Sequence, residues 1–462
     1  MTHISDKIDR ALLRKYDQPG PRYTSYPTVP EWSADFGPDD YRKALAELGQ
    51  SNDPLSLYFH IPFCRSRCWY CGCTTVVSGS SERADSYLDR LEHEMTAVAG
   101  IMGSRKKAIQ LHWGGGTPTF LTLEQIQRLF AAIAARFEIS PDAEIAIEVD
   151  PRVTSFDQAV LLRRLGFNRV SMGVQDLTPR VQEAIGRNQT ADQTWGLYKR
   201  CRELGFSGIN IDLIYGLPFQ TVANMGETIR QVIDMGADRV AVYSFAYLPD
   251  AKAHQKRIDT TALPTAAMKY DLFATAVEKF LEAGYIQIGM DHFARPEDEL
   301  AKALAEGRLH RNFMGYTVRP ASNSLGFGMS AISEMAGAFA QNISGLTAYE
   351  QAVDTGGLAT FRGYRLSQDD IIRQSAILSL MCNFILPFKT FDEKHNIDSL
   401  RYFASELEDL KPFIEDGLVG VTDTAVQVLP RGRVFVRNIA MVFDAFLRRK
   451  GKDGRQIFSR TI

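Results

Sequence analysis

Leu55-Ser-Leu-Tyr-Phe-His-Ile61 runs without a break into Pro62-Phe-Cys64-Arg-Ser-Arg-Cys68-Trp-Tyr-Cys71-Gly-Cys73. The first seven residues are almost continuously apolar, β-branched or aromatic, the pattern of a strand buried on both faces. Residues 108–113, 144–149, 169–174, 209–215 and 239–245 repeat it. Stretches with helical spacing lie between these runs, at 84–99, 123–137, 156–165, 191–204 and 225–235. Strand and helix alternating in this way predict parallel β/α units. Six units in succession, none with a dinucleotide fingerprint after its strand, predict an α/β fold. Its core is expected to be a partial (β/α)6 TIM-like barrel rather than a doubly wound sheet. A seventh run, 285–290, is expected at the barrel edge. In such a barrel the loops after the strands open onto the active face, so the cysteines belong there.

Outward from this core, residues 1–53 read as an N-terminal arm, irregular and broken by Pro19, Pro21, Pro27, Pro30 and Pro38. The barrel is expected over 54–300, a loop-rich connection over 301–365, and a small C-terminal α+β domain over 366–462. That last segment reads helix, helix, strand, strand, helix (367–382, 399–410, 418–421, 425–428, 431–449), the order of a winged helix. Winged helices often bind DNA. Here 53 basic against 55 acidic residues give a net charge of -2, which speaks against a nucleic-acid partner and for a packing or covering role. The 462 residues, 45% hydrophobic and 23% charged, are ordinary for a globular chain with ample core. The polar first fifteen residues lack a signal-like apolar core, and no run is long enough to span a bilayer. No membrane partner and a cytoplasmic location are therefore expected.

Four of the six cysteines fall between Cys64 and Cys73. A large, Cys-poor chain with one tight cluster is not a disulfide scaffold. The C-x3-C-x2-C spacing puts three thiolates on one loop. That is enough to hold three irons of a cubane [4Fe–4S] cluster and leave the fourth iron open to a chelating ligand. The competing reading is a zinc ion with Cys73 as fourth ligand, but structural zinc usually pairs two separated knuckles and no second knuckle is present. Cys201 and Cys382 stand alone and are expected in the core.

His112-Trp-Gly114-Gly-Gly-Thr117-Pro-Thr119 ends the second strand, where glycines let a backbone approach a ligand closely. Thr122-Leu-Glu-Gln125 then reads as a capping box. Glu148 and Asp150, Gln175 and Asp176, and Asp212 end the next three strands, on the side that lines a site in β/α barrels. Arg187 lies a little beyond the fourth strand, where it can meet a carboxylate. Gly326-Phe-Gly328-Met-Ser-Ala331 mimics a dinucleotide fingerprint but follows no evident strand of a βαβ unit, so it receives little weight. His60, His292 and His310 lack triad or zinc-protease spacing.

Together these motifs resemble the oxygen-independent coproporphyrinogen III oxidase family, radical S-adenosylmethionine (SAM) enzymes of haem biosynthesis. The likeness covers nearly the whole chain. It includes Pro21-Arg-Tyr-Thr-Ser-Tyr-Pro-Thr28, the cysteine loop with its Cys-Gly-Cys ending, Gly114-Gly-Gly-Thr-Pro-Thr119, Ile147-Glu-Val-Asp-Pro151 and Ser171-Met-Gly-Val-Gln-Asp176. It continues through Asn210-Ile-Asp-Leu-Ile-Tyr-Gly-Leu-Pro218, Gly289-Met-Asp-His-Phe-Ala-Arg-Pro296 and His310-Arg-Asn-Phe313. The arm, the Cys73 ending and the last two motifs are specific to the family, whereas CxxxCxxC marks only the superfamily.

The resemblance implies that Cys64, Cys68 and Cys71 ligate the cluster and that Cys73 does not. It implies a SAM site at Tyr58, Tyr70, Gly115 and Glu148. A second SAM would fall to Gly116, Thr117, Gln175, Arg187, Asp212 and Ala246, with Ile332 nearby. SAM cleavage would then yield a 5′-deoxyadenosyl radical that attacks coproporphyrinogen III, turning two propionates into vinyl groups and giving protoporphyrinogen IX. No catalytic side chain is assigned, because the cofactor carries the hard step. A reductant protein such as flavodoxin or ferredoxin, and a monomeric state, are implied as well. Substrate carboxylates need basic partners, for which Arg22, Arg295 and Arg311 are candidates. Two positions depart from the family pattern, both in the region expected to face the cofactors: Met314 where Gln is usual and Asn323 where an acidic residue is expected. Haem chaperones and haem-modifying relatives are the nearer alternative, but the chaperone type usually lacks the Cys-Gly-Cys ending and the arm motif. A zinc-stabilised binding module is the alternative from another class.

Overall fold

The computed structural model describes residues 10–319, 321–335, 337–450 and 458–461, so the first nine residues of the arm lie outside it. The described chain gathers into two compact units. The larger is built from Ser33–Tyr285 and Arg319–Arg365, the smaller from Met1–Trp32, Ile286–Val318 and Leu366–Ile462.

In the larger unit six parallel strands stand in chain order: β1 (Leu55–Ile61), β2 (Lys107–Gly115), β3 (Glu138–Val149), β4 (Arg169–Gln175), β5 (Gly208–Tyr215) and β6 (Arg239–Ser244). Helices α1 (Glu82–Met102), α2 (Leu123–Arg136), α3 (Phe156–Arg164), α4 (Ala191–Glu203), α5 (Val222–Met235) and α6 (Ala266–Glu282) follow them in turn. Each predicted strand and helix of this series is present, some longer and some a residue shorter than expected, and α6 is added to the five expected helices. The outer edge of β1 pairs with a later strand rather than with β6, so this is an open, partial TIM-like barrel. Its core runs along the strands: Leu57, Phe59, Leu111, Trp113, Ile147, Met172 and Ile211 are fully buried. On α2, Ile126, Leu129 and Ile133 repeat at helical spacing and face that core.

The helices begin where the active-face loops end, and four of them begin on a capping box. Thr122, Ser155, Thr190 and Thr221 each accept a hydrogen bond from the backbone N–H three residues on, and Gln125, Gln158, Gln193 and Asn224 reciprocate. Such caps contribute about 1 kcal/mol each and fix how each loop re-enters its helix.

Several expectations change. The stretch at 301–365 is not mainly loop. It contains β7 (Asn323–Phe327), parallel to β1 with Leu57 opposite Leu325. The antiparallel strands β8 (Ile332–Met335), β9 (Ala338–Asn342) and β10 (Thr360–Arg365) then widen the sheet. These strands are short, and glycines hide their pattern. A Cβ at Gly326 would collide with the Ile332 backbone, and one at Gly328 with the Tyr87 hydroxyl. The fingerprint-like glycines therefore serve strand packing.

Pro38 does not break the arm but starts a helix, Pro38–Gly49, at a position where its missing N–H costs nothing. The run at 285–290 forms a strand at the sheet's end, as expected, but a short one, Ile286–Gln287.

The smaller unit carries the helix Gln368–Asn383. A three-stranded antiparallel sheet follows, with Ala425–Val428 between Ile385–Pro387 and Val419–Val421. A helix at Phe388–His395 stands where none was expected. The expected helix over 431–449 is divided into a 3-10 helix, Pro430–Phe435, and two α-helices, Val436–Met441 and Ala445–Lys450; Asp444 turns its carboxylate onto the N–H groups of Phe446 and Leu447 and restarts the last of them. No helix of the described residues is long and apolar enough to cross a membrane.

Candidate active site

The cysteine loop is tied down at both ends. Gly116 N–H donates to the Ile61 carbonyl and Thr117 N–H to Phe63, both at 2.8 Å. Val76 N–H donates to Pro62 at 2.8 Å and Ser78 N–H to Cys64 at 3.1 Å. A Cβ at Gly116 would strike the Pro62 carbonyl, so this crossing of two loops accepts only glycine. Gly115 adopts φ 115° over the His60 ring. Burial holds His60 below its ordinary range, hence neutral. Its Nε2–H donates to the Thr74 carbonyl at 2.9 Å, while Nδ1 accepts from the Tyr58 hydroxyl at 3.1 Å. Trp69 and Tyr70, between the second and third cysteines, pack onto an apolar cluster that includes Val181, Ile185 and Phe245.

The loop forms one wall of a cavity of about 450 Å³, a size suited to a cofactor such as SAM. The opposite wall is made by strand ends. Burial pushes the Glu148 carboxyl up, but His112 Nε2 at 3.2 Å and the Gly115 N–H at 3.0 Å more than offset this and hold it low. Asp150 is held low against burial in the same way by Arg187 and Arg152. Asp212 accepts from Ser171 Oγ at 2.9 Å and Asn210 Nδ2 at 2.8 Å. Gln175 stands at φ 69° where the β4–β5 register shifts, a bulge that re-aims a side chain at a strand end.

Nine of the eleven implied cofactor residues line this cavity: Tyr70, Gly115, Gly116, Thr117, Glu148, Gln175, Arg187, Asp212 and Ala246. So do Cys64, Cys68, Cys71 and Cys73. Tyr58 stands behind the wall, stacked on His112 with its hydroxyl turned to His60. Ile332, on β8, is not part of the lining. Cys201 and Cys382 are buried and free. Asn323 opens β7 opposite Leu55, at the start of β1. Six residues of strand, about 20 Å, separate it from the cysteine end, so it does not face the cavity as expected.

In the smaller unit Arg22 is already paired with Asp291, and Arg311 donates to the Arg22 carbonyl at 2.6 Å. Arg295 is exposed. Met314 donates its N–H to Asn312 Oδ1 at 2.9 Å.

Sequence reasoning missed the residues that close the cavity from the loop after β6. Gln255 Nε2 donates to the carbonyls of Tyr70 (3.0 Å) and Ala246 (3.2 Å), and His254 Nε2 to that of Cys71 (2.7 Å). Arg152, which reaches Cys68, was missed as well. Only the fold brings residues 254 and 71 together, so no local signal announced these contacts.

The donor set suits an iron–sulfur cluster. Three thiols on one cavity wall are soft ligands, and a cubane takes each on a separate iron rather than all on one ion. No trio of His, Cys, Asp or Glu among the described residues already converges as a single-ion site. The Cys71 thiol, hydrogen-bonded by Cys73, falls to about 6, and burial raises Cys64 to about 11.

Residues 58–232 match the Radical SAM superfamily and residues 366–435 the HemN C-terminal domain. Oxygen-independent coproporphyrinogen III oxidase of Escherichia coli K12 is 45% identical over 454 residues, 98% of each chain. That of Synechocystis is 43% identical over 455 residues, 98% of this chain and 97% of the relative. The solved structure of Escherichia coli coproporphyrinogen III oxidase (HemN), a radical SAM enzyme, superposes with a TM-score of 0.91 at 44% identity, covering 96% of this chain and 99% of that one. With such likeness end to end around a cysteine-walled cavity, this chain belongs to the oxygen-independent coproporphyrinogen III oxidase family of radical SAM enzymes.

Proposed function

We propose that the chain converts coproporphyrinogen III to protoporphyrinogen IX by oxidative decarboxylation of two propionates. The single observation that carries this reading is the cavity itself. Three cysteines of a radical SAM loop and nine of the implied cofactor residues share one wall system, in a chain so closely related to coproporphyrinogen III oxidases. Cys64, Cys68 and Cys71 would hold the cluster, with Cys73 outside the ligand set. When bound, the reduced cluster and SAM supply a 5′-deoxyadenosyl radical able to take a hydrogen atom from a propionate β-carbon, after which loss of CO2 and one electron leaves a vinyl group.

The protein's own part is placement. Glu148, held ionised, offers a carboxylate to an ammonium group, and Arg187 offers a cation to a carboxylate. Gly115 and Gly116 let the strand end pass close against His60 and Pro62, which seats the cysteine loop at the cavity wall. Gln175, Asp212 and Ala246 line the same cavity from later strand ends and are the contacts a second SAM would use. Gln255 and His254 fasten the β6 loop to the cysteine loop and restrict water. A low-potential electron carrier, a cytoplasmic location and a monomeric state complete the proposal.

The test is anaerobic turnover of reconstituted, reduced protein with SAM and coproporphyrinogen III. Protoporphyrinogen IX, 5′-deoxyadenosine and methionine are the expected products. 5′-Deoxyadenosine without a tetrapyrrole product would mean a different substrate.

A further inference from the structure

Four arginines line the cavity, and two of them, Arg152 and Arg187, reach the same sulfur. Arg152 Nη2 donates to Cys68 Sγ at 3.3 Å and Arg187 Nη1 at 3.6 Å. Among the described residues, Cys64 Sγ meets a hydroxyl instead, Thr117 Oγ1 at 3.5 Å. Asp150 lies between the two cations. It accepts from Arg152 Nε at 3.0 Å and Nη2 at 2.6 Å, and from Arg187 at 3.3 and 3.4 Å. This carboxylate offsets the repulsion of the two cations and fixes the plane of the Arg152 fork. One hydrogen of Nη2 serves Asp150 and the other is left for the sulfur. Arg187 has a place among the implied SAM contacts, but Arg152 has none.

We propose that Arg152, oriented by Asp150, is a positioning residue that raises the reduction potential of the cluster through Cys68. The proposal rests on the reading of Cys68 as a cluster ligand. Reduction brings in one electron from a low-potential one-electron carrier, which is itself oxidised by one electron. No bond forms or breaks at Arg152. The added negative charge spreads partly onto the thiolate sulfurs, and a guanidinium N–H on one of them favours the reduced state over the oxidised one. Hydrogen bonds to sulfur and nearby charge are among the levers by which proteins set these potentials. A fork also holds this geometry better than a point charge on a flexible stem.

The experiment compares wild type, Arg152→Lys, Arg152→Gln and Asp150→Asn after reconstitution. Iron and sulfide content are measured first, and the midpoint potential is then followed by electron paramagnetic resonance. Arg152→Gln is expected to keep its cluster and titrate at a more negative potential. Arg152→Lys should fall between it and wild type, and Asp150→Asn should also depart from wild type. An unchanged potential in a fully loaded Arg152→Gln protein overturns the proposal. So does a loss of SAM affinity at unchanged potential, which would make Arg152 a cofactor anchor. If Arg152→Gln holds no cluster, Arg152→Lys decides alone, and a wild-type potential there overturns the idea. A Cys68→Ser protein that keeps a full cluster would instead sink the ligand assignment, whatever Arg152 does.

Discussion

Two regions of the larger unit are organised around buried carboxylates, and they solve the problem in opposite ways. At the strand ends Asp150 is flanked by Arg152 and Arg187 and stays ionised. On the far face of β1, Glu94 of α1 meets no basic side chain among the described residues. Its Oε2 accepts from Gly328 N–H at 2.8 Å and the Tyr349 hydroxyl at 2.7 Å, and its Oε1 from Asn342 Nδ2 at 2.5 Å. There burial dominates, and the carboxyl rises to about 7. Beside it, Tyr87 donates to the His60 carbonyl at 2.6 Å and accepts from Met329 N–H at 3.1 Å, so the knot fastens β1 to the turn after β7. At these two sites, charge is kept where the cavity must bind a ligand, and a neutralisable carboxyl joins β1 to the turn after β7.

The sharpest test of that division is at the cavity. Cys68→Ser is expected to abolish cluster uptake and turnover, seen as lost iron and lost product, while Cys73→Ser keeps both. Glu148→Gln retains the shape and removes the charge. Hydrogen bonds to charged groups contribute about 1.5–3 kcal/mol, so SAM binding, followed by equilibrium dialysis, should weaken roughly ten- to a hundredfold, with little change in unfolding. Gly116→Ala tests the seat of the loop. Its methyl group has no room against Pro62, and a cost of about 1–3 kcal/mol is expected from such crowding. Urea unfolding would measure that cost, and faster loss of iron would report the disturbed loop. If Gly116→Ala unfolds like wild type and keeps its cluster, the loop is not held at this crossing.

The same contrast explains what could be read from the chain. The cavity wall is made of residues next to strand ends, and strand ends are visible as the points where apolar runs stop. Glu148, Gln175 and Asp212 were therefore legible from position alone, and the cysteines from spacing. The Glu94 knot joins residues 94, 328, 342 and 349, and nothing local marks them as partners. Strands β7 to β10 read as loop in the sequence for a related reason. Gly326 and Gly328 are needed for close packing, and they dilute the alternation that identifies a strand. Gln255 and His254 were missed because a side chain that grips a distant backbone carbonyl carries no motif. Asn323 was misplaced because its strand was not recognised, so the end of the sheet it occupies was unknown.

The smallest expected effect on the cavity concerns the knot itself. Glu94→Gln turns one acceptor into a donor that faces donors, which costs about 1–3 kcal/mol, and it should leave SAM affinity untouched. The more telling result is its dependence on pH. In the folded protein Glu94 takes up its proton near pH 7, and in the unfolded chain near its ordinary 4.5. Between those values the folded state binds more protons than the unfolded one, so this group's contribution to stability falls as pH rises across that window and is level on either side. Glutamine has no such titration. Denaturant midpoints of wild type and Glu94→Gln, measured from pH 5 to 8, should therefore draw together as pH rises, the wild type losing its advantage. A gap that stays constant over that range would mean that Glu94 remains ionised, as Asp150 does. The knot would then be a second charged site, and the division between the two regions would fail.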